Sequence, residues 1–431
     1  MKLVILGAGF GGLRLARKLN NKKGIEVTLI DRFNFHQFQP LFYQVATASL
    51  DASNISFPLR KAFQRSKNVR IRLATVQQIL MAEKKIVTDI GDFEFDRLVI
   101  AMGAETNFFG NQQLSDHAFP MKSTVEALQL RHRLMTIFEE ALNAQDAKDQ
   151  QLFQRLMNIV IVGGGPTGVE LSGAISEIKR FEVPKDYPEL DVSKMNIYLL
   201  EGGPKILGAM SEKSSRDSRK YLERLGVTVM TDTILKDYDG STATLQNGQT
   251  INTAMVIWAA GIKGNVPEGI NKEFVVKGNR IKVDRHCLVN GTNNIYAIGD
   301  IAYMEEPAWP TGHPQLAGVA IQQADLLAKN LKIEAENASS QLKDFIYNDK
   351  GTMATVGRNL AVVDIPKPKL HFKGFFAWMI WMGLHLFLLL GVKNRFSVFF
   401  NWVYKYFTHD QNLRLIFKPF YRNTKQEEIN K

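Results

Sequence analysis

A glycine-rich segment near the start of the chain has the composition of a phosphate-binding loop. Gly7, Gly9 and Gly12 follow the pattern G-x-G-x-x-G directly after residues 2–6 (KLVIL), which predict a buried strand. In such a loop the first glycine allows a tight turn, the second lets a pyrophosphate approach the backbone, and the third lets the next helix pack on the strand. Asp31 ends the following predicted strand, 24 residues after Gly7, where a carboxylate can accept hydrogen bonds from a ribose. The segment therefore predicts a dinucleotide site.

The same arrangement occurs a second time along the chain. Residues 157–162 form another apolar run, which predicts a strand. Gly163, Gly165 and Gly168 follow this run in the same pattern, and Glu201 ends the next predicted strand, 38 residues after Gly163. The repeat predicts a second dinucleotide site.

Two further strand-ending glycines accompany these loops. Apolar runs end in the pattern A-x-G at Gly103 and again at Gly261. Gly103 lies 96 residues after Gly7, and Gly261 lies 98 residues after Gly163. A matched internal spacing of this kind predicts two Rossmann-like units of the α/β class.

A short predicted strand after the second unit ends in Gly299 and Asp300. An aspartate in this turn can accept a hydrogen bond from a ribityl hydroxyl, and its position predicts that the chain returns to the first unit. We therefore expect an α/β fold with two Rossmann-like dinucleotide-binding domains, the second inserted in the first, and a C-terminal helical region that anchors the protein to a membrane. The expected boundaries are 1–120 with 285–350 for the first domain, 155–284 for the second and 366–431 for the C-terminal region.

The C-terminal region differs from the rest of the chain in charge and aromatic content. Residues 366–431 carry a net charge of +8, out of +11 for the whole chain, and 16 of the 43 aromatic side chains. Basic residues beside a long apolar run suit an anionic lipid surface better than nucleic acid. As a helix, the uncharged run 375–392 would be about 27 Å long, barely the thickness of the hydrocarbon layer. A transmembrane span is therefore the alternative to a helix that lies in the interface.

The residues that follow this run have the pattern of an interfacial helix. One helical face is predicted to contact lipid through Phe396, Phe399, Phe400, Val403 and Phe407, together with Trp402. The predicted polar flanks are Lys393, Arg395, Asn401 and Lys405. This pattern favours a helix that lies in the plane of the membrane surface.

Residue counts exclude several other kinds of chemistry. Cys287 is the only cysteine in the sequence, which rules out an internal disulfide, a redox dithiol and a cysteine-based zinc or iron–sulfur centre. We expect no metal site. The sequence opens without a secretory or transit-peptide pattern, so we expect the protein to act from inside the cell.

The order of the motifs resembles that of flavoproteins with two dinucleotide-binding domains. Within them, the chain resembles the type II NADH:quinone oxidoreductases, which are single-subunit respiratory dehydrogenases that do not pump protons. The resemblance runs from residue 2 to about residue 421. Besides the C-terminal region, its most specific segments are 38–47 (FQPLFYQVAT), 168–171 (GVEL) and 350–358 (KGTMATVGR).

The resemblance implies a use for each dinucleotide site. The first loop, with Asp31, would hold the adenosine diphosphate part of a non-covalent FAD, and Asp300 would hold its ribityl chain. The second loop, with Glu201, would bind NADH, because an acid at this position favours a free ribose 2′-hydroxyl and repels the 2′-phosphate of NADPH. Further cofactor contacts are expected at Gly103, Gly261, Gly299 and Ala317.

The resemblance also implies two residues at the redox centre, Glu170 and Gln322. Glu170 is predicted in the first turn of a helix that begins at residue 169, near the nicotinamide and the flavin, although a carboxylate there is also favoured by the helix dipole alone. The family pattern A-Q-x-A-x-Q is A-G-x-A-x-Q in this chain, so Gly318 replaces an amide that can bind a quinone carbonyl, while Gln322 remains. We expect a quinone acceptor with altered headgroup contacts.

The expected protein is thus a flavoenzyme that oxidises NADH and reduces a membrane quinone without proton pumping. The resemblance implies a homodimer that attaches peripherally to the cytoplasmic face of the cell inner membrane, with an anionic lipid surface and the quinone as partners. Two alternatives stay open. A soluble NADH-dependent flavin reductase of a small electron-carrier protein would not need the aromatic, basic C-terminal region, and a membrane-tethered flavin sensor would bind FAD with little NADH turnover.

Overall fold

The computed structural model describes residues 1–336, 341–410 and 413–416. The first elements are β1 (Lys2–Leu6), α1 (Phe10–Leu19), β2 (Glu26–Asp31), β3 (Phe35–Gln37), α2 (Phe42–Ala46), β4 (Ser56–Pro58), α3 (Leu59–Ala62), β5 (Val69–Leu73), β6 (Val76–Leu80), β7 (Lys85–Thr88), β8 (Gly91–Glu94), β9 (Arg97–Ile100), β10 (Ala104–Thr106), α4 (Gln112–His117) and β11 (Phe119–Pro120). The middle elements are α5 (Thr124–Asp146), α6 (Gln150–Met157), β12 (Asn158–Val162), α7 (Pro166–Glu177), α8 (Val183–Asp186), β13 (Asn196–Leu200), α9 (Glu212–Arg224), β14 (Val227–Met230), β15 (Leu235–Tyr238), β16 (Thr242–Leu245), β17 (Thr250–Asn252), β18 (Met255–Trp258) and β19 (Ile262–Gly264). The last elements are β20 (Val275–Val276), β21 (Arg280–Val283), β22 (Ile295–Ala297), β23 (Ala302–Met304), α10 (Ala317–Ala335), β24 (Thr352–Thr355), β25 (Ala361–Ile365), β26 (Leu370–Lys373), α11 (Gly374–Leu388) and α12 (Val392–Thr408).

Five parallel strands form the sheet of the first unit, in the order β22-β9-β1-β2-β5. The strands β1 and β9 are apolar along almost their whole length because they lie in the buried middle of this sheet. The chain forms four of the strands before residue 101 and supplies β22 only after the second unit. This confirms the prediction that the second unit is inserted in the first.

The second unit contains a parallel sheet in the corresponding order, β11-β18-β12-β13-β14. In each sheet the strand before the glycine loop, β1 or β12, is central. The strand that ends in an acid, β2 or β13, lies on one side of it, and the strand that ends in A-x-G, β9 or β18, lies on the other. The predicted α/β fold with two Rossmann-like units is confirmed.

The structure corrects two of the predicted domain boundaries. β11 ends at Pro120, inside the predicted first domain, yet it pairs with β18 of the second sheet. Ile281 and Val283 fall inside the predicted second domain, yet they are buried in the core of the first unit. Both differences arise because β10 and β19 pair with each other where the chain crosses between the units, so the first unit resumes soon after Gly264.

An antiparallel sheet of β24, β25 and β26, which no sequence motif predicted, precedes the C-terminal helices. The apolar run 375–392 then breaks into two helices, because Leu389 has an extended backbone and Gly391 has a φ of +87° that continues no helix. α11 has 15 residues and is therefore about 22 Å long. None of the helices in the described part of the chain combines the length and apolar character that a membrane crossing needs.

The exposed side of α11 and α12 is strongly aromatic. Its exposed phenylalanines are Phe375, Phe376, Phe387, Phe396, Phe399, Phe400 and Phe407. The prediction that Trp402 joins this face is wrong, because Trp402 is buried and faces the protein. Lys405 is not a polar flank either, because its ammonium group is hydrogen-bonded to Ser49 inside the protein. Both lie on the side of α12 that packs on the rest of the chain.

Candidate active site

The first glycine loop has the steric organisation that a bound pyrophosphate requires. A Cβ atom on Gly7 would lie 2.4 Å from the carbonyl oxygen of Ala101, and one on Gly12 would lie 1.8 Å from that of Gly7. A Cβ atom on Gly9 would meet no atom within 4 Å, so this position faces open space. The first and third glycines therefore allow the strand, loop and helix to pack, and the second leaves bare backbone for a phosphate group. These residues fit the diphosphate of FAD.

The second loop repeats this organisation. A Cβ atom on Gly163 would lie 2.7 Å from the backbone of Ala259, and one on Gly168 would lie 1.9 Å from the carbonyl oxygen of Gly163. A Cβ atom on Gly165 would again meet nothing within 4 Å. α7 begins directly after this loop, so its positive dipole end faces the same open space. The loop can therefore hold a second dinucleotide.

The two predicted ribose-binding acids lie beside their own loops. One carboxylate oxygen of Asp31 accepts a hydrogen bond from the backbone N–H of Ala8 at 2.6 Å, and burial raises the pKa of Asp31. One oxygen of Glu201 accepts from the N–H of Gly164, also at 2.6 Å. A carboxylate has about four lone-pair sites, so each acid can still accept hydrogen bonds from ribose hydroxyls.

Asp300 lies at the carboxyl end of β22, in the turn on which α10 packs. The ammonium group of Lys122 is 3.4 Å from its carboxylate, and the side chain of Gln315 donates to its backbone oxygen at 3.0 Å. The N–H of Gly299 donates to the side-chain oxygen of Gln323 at 2.7 Å. Asp300 is thus fixed at the same edge of the sheet as the first glycine loop, and α10, which starts at Ala317, begins nearby.

Glu170 is buried in the second turn of α7. The helix begins at Pro166, three residues earlier than predicted, so Glu170 is not in its first turn. The helix dipole therefore does not explain a carboxyl group at this position. The carboxylate accepts a hydrogen bond from the N–H of Thr355 at 3.4 Å and another from the side chain of Trp381. Burial raises the pKa of Glu170 to about 8. The side chain is therefore mostly protonated at neutral pH and can donate a proton.

A cavity that opens to solvent lies next to Glu170, between α2, α7, β24 and the two C-terminal helices. Its lining residues are Tyr43, Gln44, Ser49, Glu170, Ala174, Glu177, Thr355, Gly357, Arg358, Trp378, Trp381, Met382, Trp402, Lys405 and Tyr406. Aromatic rings form much of the wall, and hydroxyl, amide, carboxyl and ammonium groups are grouped along it. The cavity therefore suits a flat aromatic ligand that carries hydrogen-bonding groups.

A chain of hydrogen bonds joins the residues of one wall. The indole N–H of Trp402 donates to the amide oxygen of Gln44 at 2.7 Å, and the amide N–H of Gln44 donates to the hydroxyl of Tyr43 at 2.9 Å. The hydroxyl oxygens of Tyr43 and Thr355 are 3.1 Å apart. Burial raises the pKa of Tyr43, so its hydroxyl keeps its proton. This chain connects α12 with the N–H that binds Glu170.

Charged residues gather at the other end of the cavity. The ammonium group of Lys405 is 3.4 Å from the carboxylate of Glu177 and 2.9 Å from the hydroxyl of Ser49. The N–H of Arg358 also donates to Glu177, and the Arg358 guanidinium lies 4.3 Å from the ring centre of Tyr406. α12 is thus attached to α7 by the ion pair of Lys405 with Glu177, and to the segment after β24 by the cation–π contact of Tyr406 with Arg358.

Comparison with known proteins identifies the family. The family model of the pyridine nucleotide-disulphide oxidoreductases matches residues 1–324, and the model of the NDH2 C-terminal domain matches residues 350–409. The chain is 32% identical over 414 residues to a type II NADH:quinone oxidoreductase of Mycobacterium tuberculosis. The matched residues make up 93% of this chain and 87% of that protein. This chain belongs to the type II NADH:quinone oxidoreductases. The main prediction from the sequence is therefore confirmed.

Other relatives agree with this family. The type II NADH:quinone oxidoreductase of Haemophilus influenzae is 28% identical over 411 residues, with 89% of this chain and 92% of that protein covered. The solved structure of NDH2 from Plasmodium falciparum in complex with NADH has a TM-score of 0.87 and 22% identity over 97% of this chain and 99% of that chain, so the two share a fold. In this type II enzyme the single cysteine, Cys287, is buried, and no dithiol is available for electron transfer.

Gln322 and Gly318 lie apart from the cavity of this type II NADH:quinone oxidoreductase. The side chain of Gln322 donates to the backbone oxygen of Asn348 and accepts from its N–H, both at 3.0 Å. Gly318 is exposed at the start of α10, and the cavity lining includes no residue of this helix. Gln322 thus ties α10 to the segment before β24, and a redox role for it stays a prediction.

Several cavity residues were not singled out from the sequence. Tyr43 lies in segment 38–47 and Thr355 in segment 350–358, which both carry the family resemblance, so these motifs could have indicated a functional role for the two residues. Glu177 had no such signal, and Lys405 was predicted only as a polar flank, because a single charged residue on a helix is expected to face solvent until its partner is known.

Proposed function

We propose that this enzyme binds NADH on its second glycine loop, FAD on its first, and a quinone in the cavity beside Glu170. One observation carries this assignment of sites. α7 begins at the second glycine loop, and Glu170, Ala174 and Glu177 lie along its next turns and line the cavity. A single helix therefore fixes the dinucleotide loop and the cavity relative to each other.

The residues of the first unit are suited to hold FAD. The bare backbone at Gly9 receives the diphosphate, Asp31 binds the adenosine ribose, and Asp300 binds the ribityl chain, with Gly103, Gly299 and Ala317 nearby. FAD held by these residues would supply the redox chemistry that links hydride donation by NADH to electron uptake by the quinone. The reaction is not coupled to proton pumping.

The residues of the second unit select NADH. Gly165 leaves space for the pyrophosphate, and Glu201 accepts hydrogen bonds from both hydroxyls of the adenosine ribose. A 2′-phosphate at this ribose would place negative charge against the Glu201 carboxylate, which opposes NADPH binding.

The cavity side chains supply what the reduction of a quinone requires besides electrons. A quinone takes up two electrons and two protons to become a quinol. Glu170 holds a proton at neutral pH because burial raises its pKa to about 8, and it delivers one of the two protons to a quinone oxygen, while solvent supplies the other. The indole rings of Trp378 and Trp381 form flat apolar walls for the quinone ring.

The C-terminal helices attach the enzyme to a membrane surface. Their exposed phenylalanines insert among the lipid chains, and Lys393 and Arg395, both exposed, contact anionic headgroups. The cavity is lined by the inner sides of the same two helices, so a quinone can enter it from the lipid. We propose the cytoplasmic face of the inner membrane as the location and a homodimer as the assembly, to be tested by liposome sedimentation and light scattering.

Steady-state turnover of the purified full-length holoenzyme tests this function. We expect rapid NADH oxidation with a short-chain quinone and little with NADPH. Efficient reduction of a ferredoxin-type carrier with no quinone reduction would favour the soluble reductase instead. Bound FAD without NADH turnover would favour a sensor.

A further inference from the structure

Phe109 is an exposed aromatic residue held directly over the second dinucleotide site. Its side chain is 70% exposed, although exposure of an apolar ring to water is energetically unfavourable. A Cβ atom on Gly261 would lie 2.7 Å from the tip of the Phe109 ring. Ala259 and Gly261 both belong to the segment that follows β18, and the backbone of Ala259 contacts Gly163 of the second glycine loop. The Phe109 ring, which contacts Gly261, therefore lies beside this loop.

The surrounding residues hold the ring in this position. Phe109 has a φ of +53°, a left-handed conformation that disfavours phenylalanine, and its N–H donates to the side chain of Asn107 at 2.9 Å. The backbone of Asn107 accepts from the indole of Trp258 at 3.0 Å and donates to the oxygen of Gly261 at 3.2 Å. The Phe109 ring also contacts the edge of Trp258, with ring centres 6.3 Å apart. The exposed ring is therefore positioned by a network rather than left free in a loop.

The strand order shows which half of a dinucleotide passes this ring. The pyrophosphate belongs at the loop after the central strand β12, and the adenosine ribose belongs at Glu201, after β13 on one side. Gly261 follows β18, on the opposite side of β12. The nicotinamide half of the dinucleotide must therefore leave the loop toward Gly261 and Phe109.

We infer that Phe109 packs against the nicotinamide riboside half of NADH and positions it, a role that rests on the proposed use of this loop for NADH. The flat face of the ring offers apolar contact to the nicotinamide ring or its ribose. The ring lies beside the segment after β18, on the side of β12 opposite to β13 and Glu201. Phe109 is thus a positioning residue for the hydride donor, whose contact improves NADH binding.

The test compares ligands with and without the nicotinamide. In the full-length holoenzyme, Phe109→Ala should raise the Kd for NAD⁺ and the KM for NADH about three- to tenfold, because aromatic contacts are of this strength. Binding of ADP, which lacks the nicotinamide and its ribose, and the KM for the quinone should stay unchanged. Phe109→Tyr should restore NADH binding, since the aromatic face is kept. Ile90→Ala, at an exposed residue on the turn between β7 and β8, is the matched surface control.

The outcomes separate this inference from the proposed function. Equal weakening of NAD⁺ and ADP binding would overturn the inference, because the change would then act through the loop or the adenosine half. Unchanged binding of both ligands would overturn it as well. If the unmodified enzyme binds NAD⁺ yet fails to oxidise NADH, the proposed function fails, and the binding comparison still decides the role of Phe109.

Discussion

Replacing Glu170 by glutamine should make the enzyme's stability less dependent on pH. Glutamine keeps the shape of the side chain and an oxygen that can accept from the N–H of Thr355, but it has no proton to lose. In the unmodified enzyme, burial raises the pKa of Glu170 from 4.5 to about 8. Between these two pH values the folded state keeps a proton that the unfolded chain has released. The free energy of unfolding must therefore fall as the pH rises through this interval.

The size of this effect follows from the pKa difference. A pKa difference of one unit corresponds to about 1.4 kcal/mol of unfolding free energy. Because Glu170 releases its proton in the unfolded chain and keeps it in the folded enzyme, the free energy of unfolding falls by about 5 kcal/mol over the whole interval. The loss is absent below the unfolded pKa and complete above about pH 8. In Glu170→Gln this side chain cannot ionise, so it contributes no such pH dependence to the free energy of unfolding. Its stability relative to the unmodified enzyme should therefore increase by about 5 kcal/mol across the interval.

Calorimetric melting of both holoenzymes across this pH range measures the effect. The melting temperature of Glu170→Gln should move progressively above that of the unmodified enzyme as the pH rises. Other buried acids, such as Glu182, titrate in both proteins and cancel in the comparison. Glu189→Gln, at an exposed carboxylate, should give a curve parallel to that of the unmodified enzyme. Parallel curves for Glu170→Gln as well would refute the reasoning, since Glu170 would then be ionised in the folded enzyme.

Further substitutions test the other parts of the account. Glu170→Gln should lower quinone reduction about 100-fold, the usual range for loss of a proton donor, while NADH still reduces the bound flavin in stopped-flow traces. Glu201→Ser should narrow the preference for NADH over NADPH in the ratio of their kcat/KM values. Lys405→Ala should destabilise the fold by about 3 kcal/mol because it leaves Glu177 buried without its partner, and adding Glu177→Gln should recover much of this in chemical denaturation. Phe400→Glu should weaken liposome sedimentation about tenfold or more.

Features set by local spacing could be predicted from the sequence. The roles of Gly7, Gly9 and Gly12 follow from a pattern of six residues, because the steric demands of a phosphate loop act between near neighbours. The matched spacing from Gly163 to Gly261 then predicted a second unit. The exact domain boundaries could not be predicted, because they depend on the pairing of β10 with β19, two segments far apart along the chain.

The active-site environment depends on contacts that no local pattern contains. Glu170 contacts Thr355, which lies 185 residues later on a strand of a sheet that no sequence motif predicted. The helical period of α12 identified its phenylalanine face, but it could not show that Trp402 turns toward Gln44. An aromatic residue has the same hydrophobic character whether it faces lipid or the protein interior. Only the packing of α12 on the rest of the chain decides between these surroundings.

The most direct test of the central claim follows the bound flavin through both halves of the reaction. The anaerobic holoenzyme is first mixed with an equimolar amount of NADH and then with a short-chain quinone, while the visible absorbance of the flavin is recorded. The account predicts that NADH bleaches the flavin and that the quinone restores its absorbance, each at a rate at least as fast as steady-state turnover. A flavin that NADH does not bleach, or that the quinone does not reoxidise, would contradict the account.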